Sequence, residues 1–81
     1  MSNENWLKKQ MHMRNTIRIR LRKARRSAGM TQTDLGNRLD VSYQMIQQYE
    51  NGKRTPSDET IYRLSEILGT DPEWIKYGSS E

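Results

Sequence analysis

The chain is 81 residues long, contains no cysteine, and carries 14 Lys and Arg against 10 Asp and Glu, a formal net charge of +4. That length supports one small core and a single domain that gains from association with a second copy, so a homodimer is expected. The missing cysteine excludes a disulfide framework and thiolate metal sites and fits a reducing cytoplasm, while no apolar run approaches the ~18 residues of a membrane span.

The opening Met-Ser-Asn-Glu-Asn-Trp-Leu-Lys-Lys lacks the apolar stretch of a secretory signal. Residues 1–15 are polar with scattered Trp6, Leu7, Met11 and Met13; with no clean period, they read as an N-terminal arm whose order the sequence does not settle. Trp6 could cap the core, dock on a partner or hang free. The domain proper is expected over residues 16–78, followed by a short tail at 79–81 that resembles the start of a linker. Ile17, Leu21, Ala24 and Ala28 fall at helical spacing, and Gly29 follows where a left-handed cap ends a helix, so a first helix is expected over about Thr16–Ala28.

Thr31 is a good N-cap with Leu35 and Leu39 one turn apart behind it, giving a second helix from about Gln32 to Leu39. Ser42 caps a third, about Tyr43–Asn51, whose inward positions are Met45 or Ile46 and Tyr49, and Asn51-Gly52 tolerates positive φ at its end. A basic loop, Lys53-Arg54-Thr55-Pro56, leads to the cap Ser57 with acidic Asp58 and Glu59 in the next first turn, where they oppose the helix dipole. Ile61, Leu64, Ile67 and Leu68 stripe that fourth helix, about Asp58–Leu68, up to Gly69. Asp71-Pro72 opens a short fifth through Trp74, Ile75 and Tyr77 to Gly78. The fold class is therefore all-α, a compact five-helix bundle.

Charge divides unevenly along this plan. Residues 1–38 hold ten Lys and Arg against Glu4 and Asp34, a net of +8, and residues 39–81 hold four against eight acids, a net of −4. One face suits a polyanion and another is left for protein contacts. The second and third helices, joined by Asp40-Val41, share the apolar positions Leu35, Leu39, Val41, Ile46 and Tyr49, and Gly36 supplies the small side chain that a close crossing needs. That is the layout of a helix-turn-helix, and it points to DNA.

Arg25, Gly29, Thr31-Gln32, Leu35, Val41-Ser42, Ile46, Glu50-Asn51-Gly52 and Pro56 together resemble the DNA-binding domain of lambda-type phage repressors, Cro proteins and bacterial Xre regulators, over about residues 17–78. The resemblance implies a third helix in the major groove and a dimer on a pseudo-palindromic operator. It assigns base contacts to Tyr43, Gln44 and Gln48, with Ser42 and Gln47 at the edge. The chemistry agrees, since a glutamine amide matches adenine N6 and N7 and a tyrosine edge meets a thymine methyl. It assigns phosphate contacts to Gln32, Asn51, Lys53 and Arg54. Arg22 joins them from a basic field that also includes Arg18, Lys23 and Arg26.

Arg25 and Glu50 are implied as a structural ion pair, and Pro72, Trp74 and Ile75 as subunit contacts that ordinary core packing would equally explain. Two residues depart from the family pattern. Asp40 stands where glycine is common, implying a left-handed turn residue, and Gly36 replaces the more frequent alanine, costing about 1 kcal/mol of helix propensity.

No cofactor, metal site or enzymatic activity is expected. His12 is alone, Ser42 and Ser57 read as caps, and no phosphate-cradling glycine loop or catalytic carboxylate pair appears. The expected function is a sequence-specific transcriptional regulator, a phage or prophage repressor binding double-stranded operator DNA. The alternatives are an antitoxin-like module that binds a toxin and regulates itself, an antirepressor partner being equally compatible, or the amino-terminal piece of a longer regulator.

Overall fold

The computed structural model describes residues 17–78, and the expectations for the arm, Trp6, His12 and the 79–81 tail lie outside the described residues. Five helices and no strand occur among the described residues. Helix α1 covers residues 17–27, and α2 (Gln32–Leu39), α3 (Tyr43–Glu50), α4 (Asp58–Leu68) and α5 (Pro72–Tyr77) follow.

The starts of α2, α3, α4 and α5 are each made by a short polar side chain that accepts one of the four N–H groups a helix leaves without an internal partner. Thr31 and Asp34 form a reciprocal capping box: the Asp34 N–H donates to the Thr31 hydroxyl and the Thr31 N–H to the Asp34 carboxylate, both at 3.0 Å. Ser42 accepts from the Met45 N–H at 3.2 Å and Ser57 from the Thr60 N–H at 3.2 Å. Asp71 accepts from Glu73, with Pro72 filling the first helical position, where no N–H is required.

Leu21, Ala24, Leu35, Leu39, Ile46, Leu64 and Leu68 form the buried core, and Met30, Val41, Tyr49, Ile67 and Trp74 pack around it. Of the two inward candidates on α3, Ile46 is buried and Met45 lies half-exposed. Ala28 is exposed, contrary to expectation, because the helix has already ended and only its N–H, bonded to the Ala24 carbonyl, follows the helical path.

The α2–α3 turn sets the angle on which the site depends. Asp40 occupies the left-handed region at φ 64°, ψ 43°, as its place in the turn requires, and the Val41 N–H returns to the Gly36 carbonyl at 2.9 Å. Gly36 itself is an ordinary helical residue. Its constraint is space, since a Cβ there would stand 2.8 Å from the Val41 carbonyl oxygen and 3.3 Å from backbone atoms of Ser42. Backbone cannot swing away as a side chain can, so the residue most compact in sequence is also the hinge of the crossing.

Candidate nucleic-acid interface

Helix α3 divides cleanly into two faces. Ile46 and Glu50 are buried, whereas Ser42, Gln44 and Gln47 are exposed, Tyr43 is 46% exposed, and Gln48 is half-buried beside them. Four polar side chains of α3 that the sequence singled out for base contact, and its N-cap Ser42, thus lie together along this helix. Because Ser42 uses its oxygen as the helix cap, its O–H is left as a donor. The single acid of α3, Glu50, is 1% exposed, so no negative charge stands on the outward face.

Glu50 is the hub that fixes this helix. Its carboxylate accepts from Arg25 Nε at 2.6 Å and Arg25 Nη2 at 3.0 Å, a two-pronged pair whose planar geometries match. Arg25 Nη1 also donates to the Met30 carbonyl at 2.8 Å, so one guanidinium ties α1 to both the α1–α2 turn and the end of α3. Hydrogen bonding to Glu50 raises the Arg25 pKa above the usual arginine value, outweighing the opposite effect of burial. The expected ion pair is present and deeply buried.

Two residues expected at phosphate groups also have work inside the fold. Gln32 donates from Nε2 to Glu50 Oε1 at 3.2 Å, which orients its amide beside the N-terminus of α2. Arg22 donates from Nη2 to the Glu50 carbonyl at 3.0 Å, and its Nε lies 3.5 Å from the Glu50 carboxylate, so it closes the C-terminus of α3 while remaining 40% exposed. Beyond α3, the Asn51 side-chain oxygen accepts from the Lys53 N–H at 3.0 Å, and the Arg54 N–H donates to the Gln48 carbonyl at 3.1 Å. These bonds hold Lys53 and Arg54, both exposed, against the end of α3.

Two more arginines cap helices, a role that the sequence alone did not reveal. Arg20 donates to the Ile75 carbonyl at 2.9 Å and the Lys76 carbonyl at 3.0 Å, closing α5, and partial burial lowers its pKa from the usual arginine value. Arg63 reaches the Leu39 carbonyl at 3.3 Å, closing α2. No local signal marks such residues, since the carbonyls they meet lie 24 to 56 positions away. Arg20 therefore keeps its positive charge but spends two of its N–H donors inside the fold.

One expectation is corrected. Ile75 is 0% exposed and belongs to the core, so it cannot present a surface to another subunit. Trp74 packs partly on that core, and Pro72 is half-buried at the edge of a groove of about 290 Å³ flanked by exposed Tyr62 and Tyr77.

A short recognition-type helix with a polar outer face, crossing a preceding helix through a tight turn and locked by a buried ion pair, defines a helix-turn-helix protein. The chain belongs to this family, in its lambda-repressor and Xre branch: a family model described as helix-turn-helix matches residues 21–75. It is 32% identical over 66 residues to the HTH-type transcriptional regulator DicA of Escherichia coli (strain K12), covering 82% of this chain and 49% of that protein. It is 35% identical over 60 residues to the SPbeta prophage-derived HTH-type transcriptional regulator YonR of Bacillus subtilis (strain 168), covering 74% and 56%. A crystal structure of the P22 c2 repressor in complex with a synthetic operator aligns with a TM-score of 0.73 at 28% identity, over 78% of this chain and 96% of that one. The chain spans about half the length of these two curated relatives.

Proposed function

We propose that this chain is a sequence-specific DNA-binding domain of a cytoplasmic transcriptional repressor of phage or prophage kind. Two copies bind a pseudo-palindromic operator, each laying α3 in the major groove on successive faces about 34 Å apart, and the bound dimer blocks transcription by covering promoter DNA. The observation that carries this reading is the outer face of α3, where Tyr43, Gln44 and Gln47 stand exposed while Ile46 and Glu50 are buried beneath them. Tyr43, Gln44 and Gln48 read bases, with Ser42 and Gln47 at the margin. Gln32, Asn51, Lys53, Arg54 and Arg22 contact phosphates, Gln32 through the amide hydrogen that its bond to Glu50 leaves over. The P22 c2 repressor, solved on its operator, supports the docking mode.

Selection of bound duplexes from a random pool at near-physiological salt tests the proposal, with two enriched half-sites one helical turn apart as the expected result. On the selected operator, Gln44→Ala should lose about 1–3 kcal/mol and relax preference at one base pair, while Arg54→Ala should weaken all sequences alike and flatten the salt dependence. An unenriched pool would reject sequence-specific binding.

The exposed Tyr62 and Tyr77 beside Pro72 favour a protein contact on the α4–α5 side. In the leading reading that contact is the second subunit, with Pro72 and Trp74 at its edge. In a second reading, an antitoxin-like module, it is a small basic toxin, and co-purification with such a protein in place of a homodimer would select it.

A further inference from the structure

The arginines of α1 meet different fates. Arg20, Arg22 and Arg25 all donate to acceptors within the domain. Arg18 has no hydrogen-bond or ion-pair partner among the described residues. It is half-buried and lines a cleft of about 480 Å³ with Tyr49, Gly52, Lys53 and Arg54. Among the described residues, no acidic side chain lines that cleft. Three cations from two segments 35 positions apart in the chain thus line one cleft without a counter-charge among the described residues, an arrangement that mutual repulsion disfavours unless an anion occupies the space between them.

The backbone is shaped for this convergence. At Gly52, φ is +82°, and a Cβ built there would lie 3.3 Å from Cδ of Arg18, so the arginine stem rests on the bare glycine. Because the Arg54 N–H is bonded to the Gln48 carbonyl and the Arg54 guanidinium reaches Met45 Sδ at 4.0 Å, the cleft adjoins the flank of α3.

Building on the proposed DNA-binding function, we infer that Arg18, Lys53 and Arg54 form one phosphodiester seat, in which Arg18 is a DNA-contacting residue supplied by α1. The seat grips the operator backbone beside the groove that α3 enters, adding affinity and fixing the approach of the helix without reading sequence. Free inorganic phosphate shares the chemistry and is separated from DNA by the test.

The test uses the full chain and its Arg18→Gln and Arg18→Lys variants on a duplex that the wild type retains, with affinity measured across salt concentrations. Arg18→Gln should weaken selected and unrelated duplexes by the same factor and reduce the slope of log K against log salt by about 0.9, the contribution of one phosphate contact, with Arg18→Lys close to wild type. Its melting temperature at low salt should be unchanged or raised, because one of three like charges is gone; a lowered one would assign Arg18 to the scaffold instead. An unchanged salt slope for Arg18→Gln, with Lys53→Gln and Arg54→Gln both reduced, would remove Arg18 from the seat. If the wild type retains no duplex, the DNA-binding function itself fails. The cleft is then decided by titrating inorganic phosphate against the Gly52 and Lys53 amide resonances: shifts abolished by Arg18→Gln keep an anion site, and their absence ends it.

Discussion

Replacing Glu50 by glutamine removes one charge and almost no volume, so its effect isolates the buried ion pair. Glu50 is 1% exposed and Arg25 9% exposed, and water cannot take the place of the lost carboxylate oxygen. The glutamine amide keeps one oxygen and puts an NH2 group where the other stood, so Arg25 would keep its bond to the Met30 carbonyl but lose the negative charge and one of its two acceptors, at 2.6 or 3.0 Å, with an N–H donor left facing another donor. Each such bond contributes about 1.5–3 kcal/mol, and breaking a buried pair from one side costs about 3–5 kcal/mol, because the remaining charge is left uncompensated. The 62 described residues imply a total stability of about 3–9 kcal/mol at ordinary values per residue. Glu50→Gln should therefore consume a third or more of it and lower the melting temperature by at least about 12 °C. Helical circular dichroism followed through heat and urea measures both quantities. A companion variant, Arg25→Met with Glu50→Leu, should be markedly more stable than Glu50→Gln alone, since it leaves no orphaned charge. A Glu50→Gln melt matching wild type would refute the assignment of Glu50 as the anchor of α3.

Gly36→Val should destabilise the domain by about 2 kcal/mol or more, read as a lower urea midpoint, because its Cβ meets the Val41 and Ser42 backbone; wild-type stability would show that the turn is free to open. Arg20→Gln should cost about 2 kcal/mol and selectively lower amide-exchange protection in α5, whose C-terminal carbonyls it closes. Hydrogen bonds from the Thr31 backbone and hydroxyl hold the Asp34 carboxyl below its usual value of 3.8. The carboxylate therefore stabilises the fold above about pH 4 and loses that contribution as pH falls through the depressed value. Melting temperature against pH should accordingly show Asp34→Asn least stable relative to wild type near neutrality and converging with it in acid; parallel curves would contradict the capping box.

Much of the fold was legible because its signals are local. Thr31, Ser42, Ser57 and Asp71 each satisfy an N–H two or three residues ahead, and that relation survives in any tertiary setting. The spacing of Leu21 and Ala24, Leu35 and Leu39, and Ile61, Leu64 and Leu68 likewise marks one face of a helix before any partner is known. The outward set on α3 follows from the same geometry once Ile46 turns inward. Pairing Arg25 with Glu50 required the family resemblance, since 25 positions separate them.

The uses of individual cations were decided only when the helices packed. In sequence, Arg18, Arg20 and Arg22 are alternate members of one basic run; in space, the first lines a cationic cleft, the second closes α5 and the third closes α3. Ile75, a plausible contact for another subunit by position, became core because α5 turns it under α4 and away from water. Helix starts and apolar stripes are set by neighbours within a turn or two, and the chain alone determines them. Which carbonyl a long arginine reaches, or which side of a short helix is covered, depends on atoms tens of residues distant, and only the assembled bundle brings those atoms near.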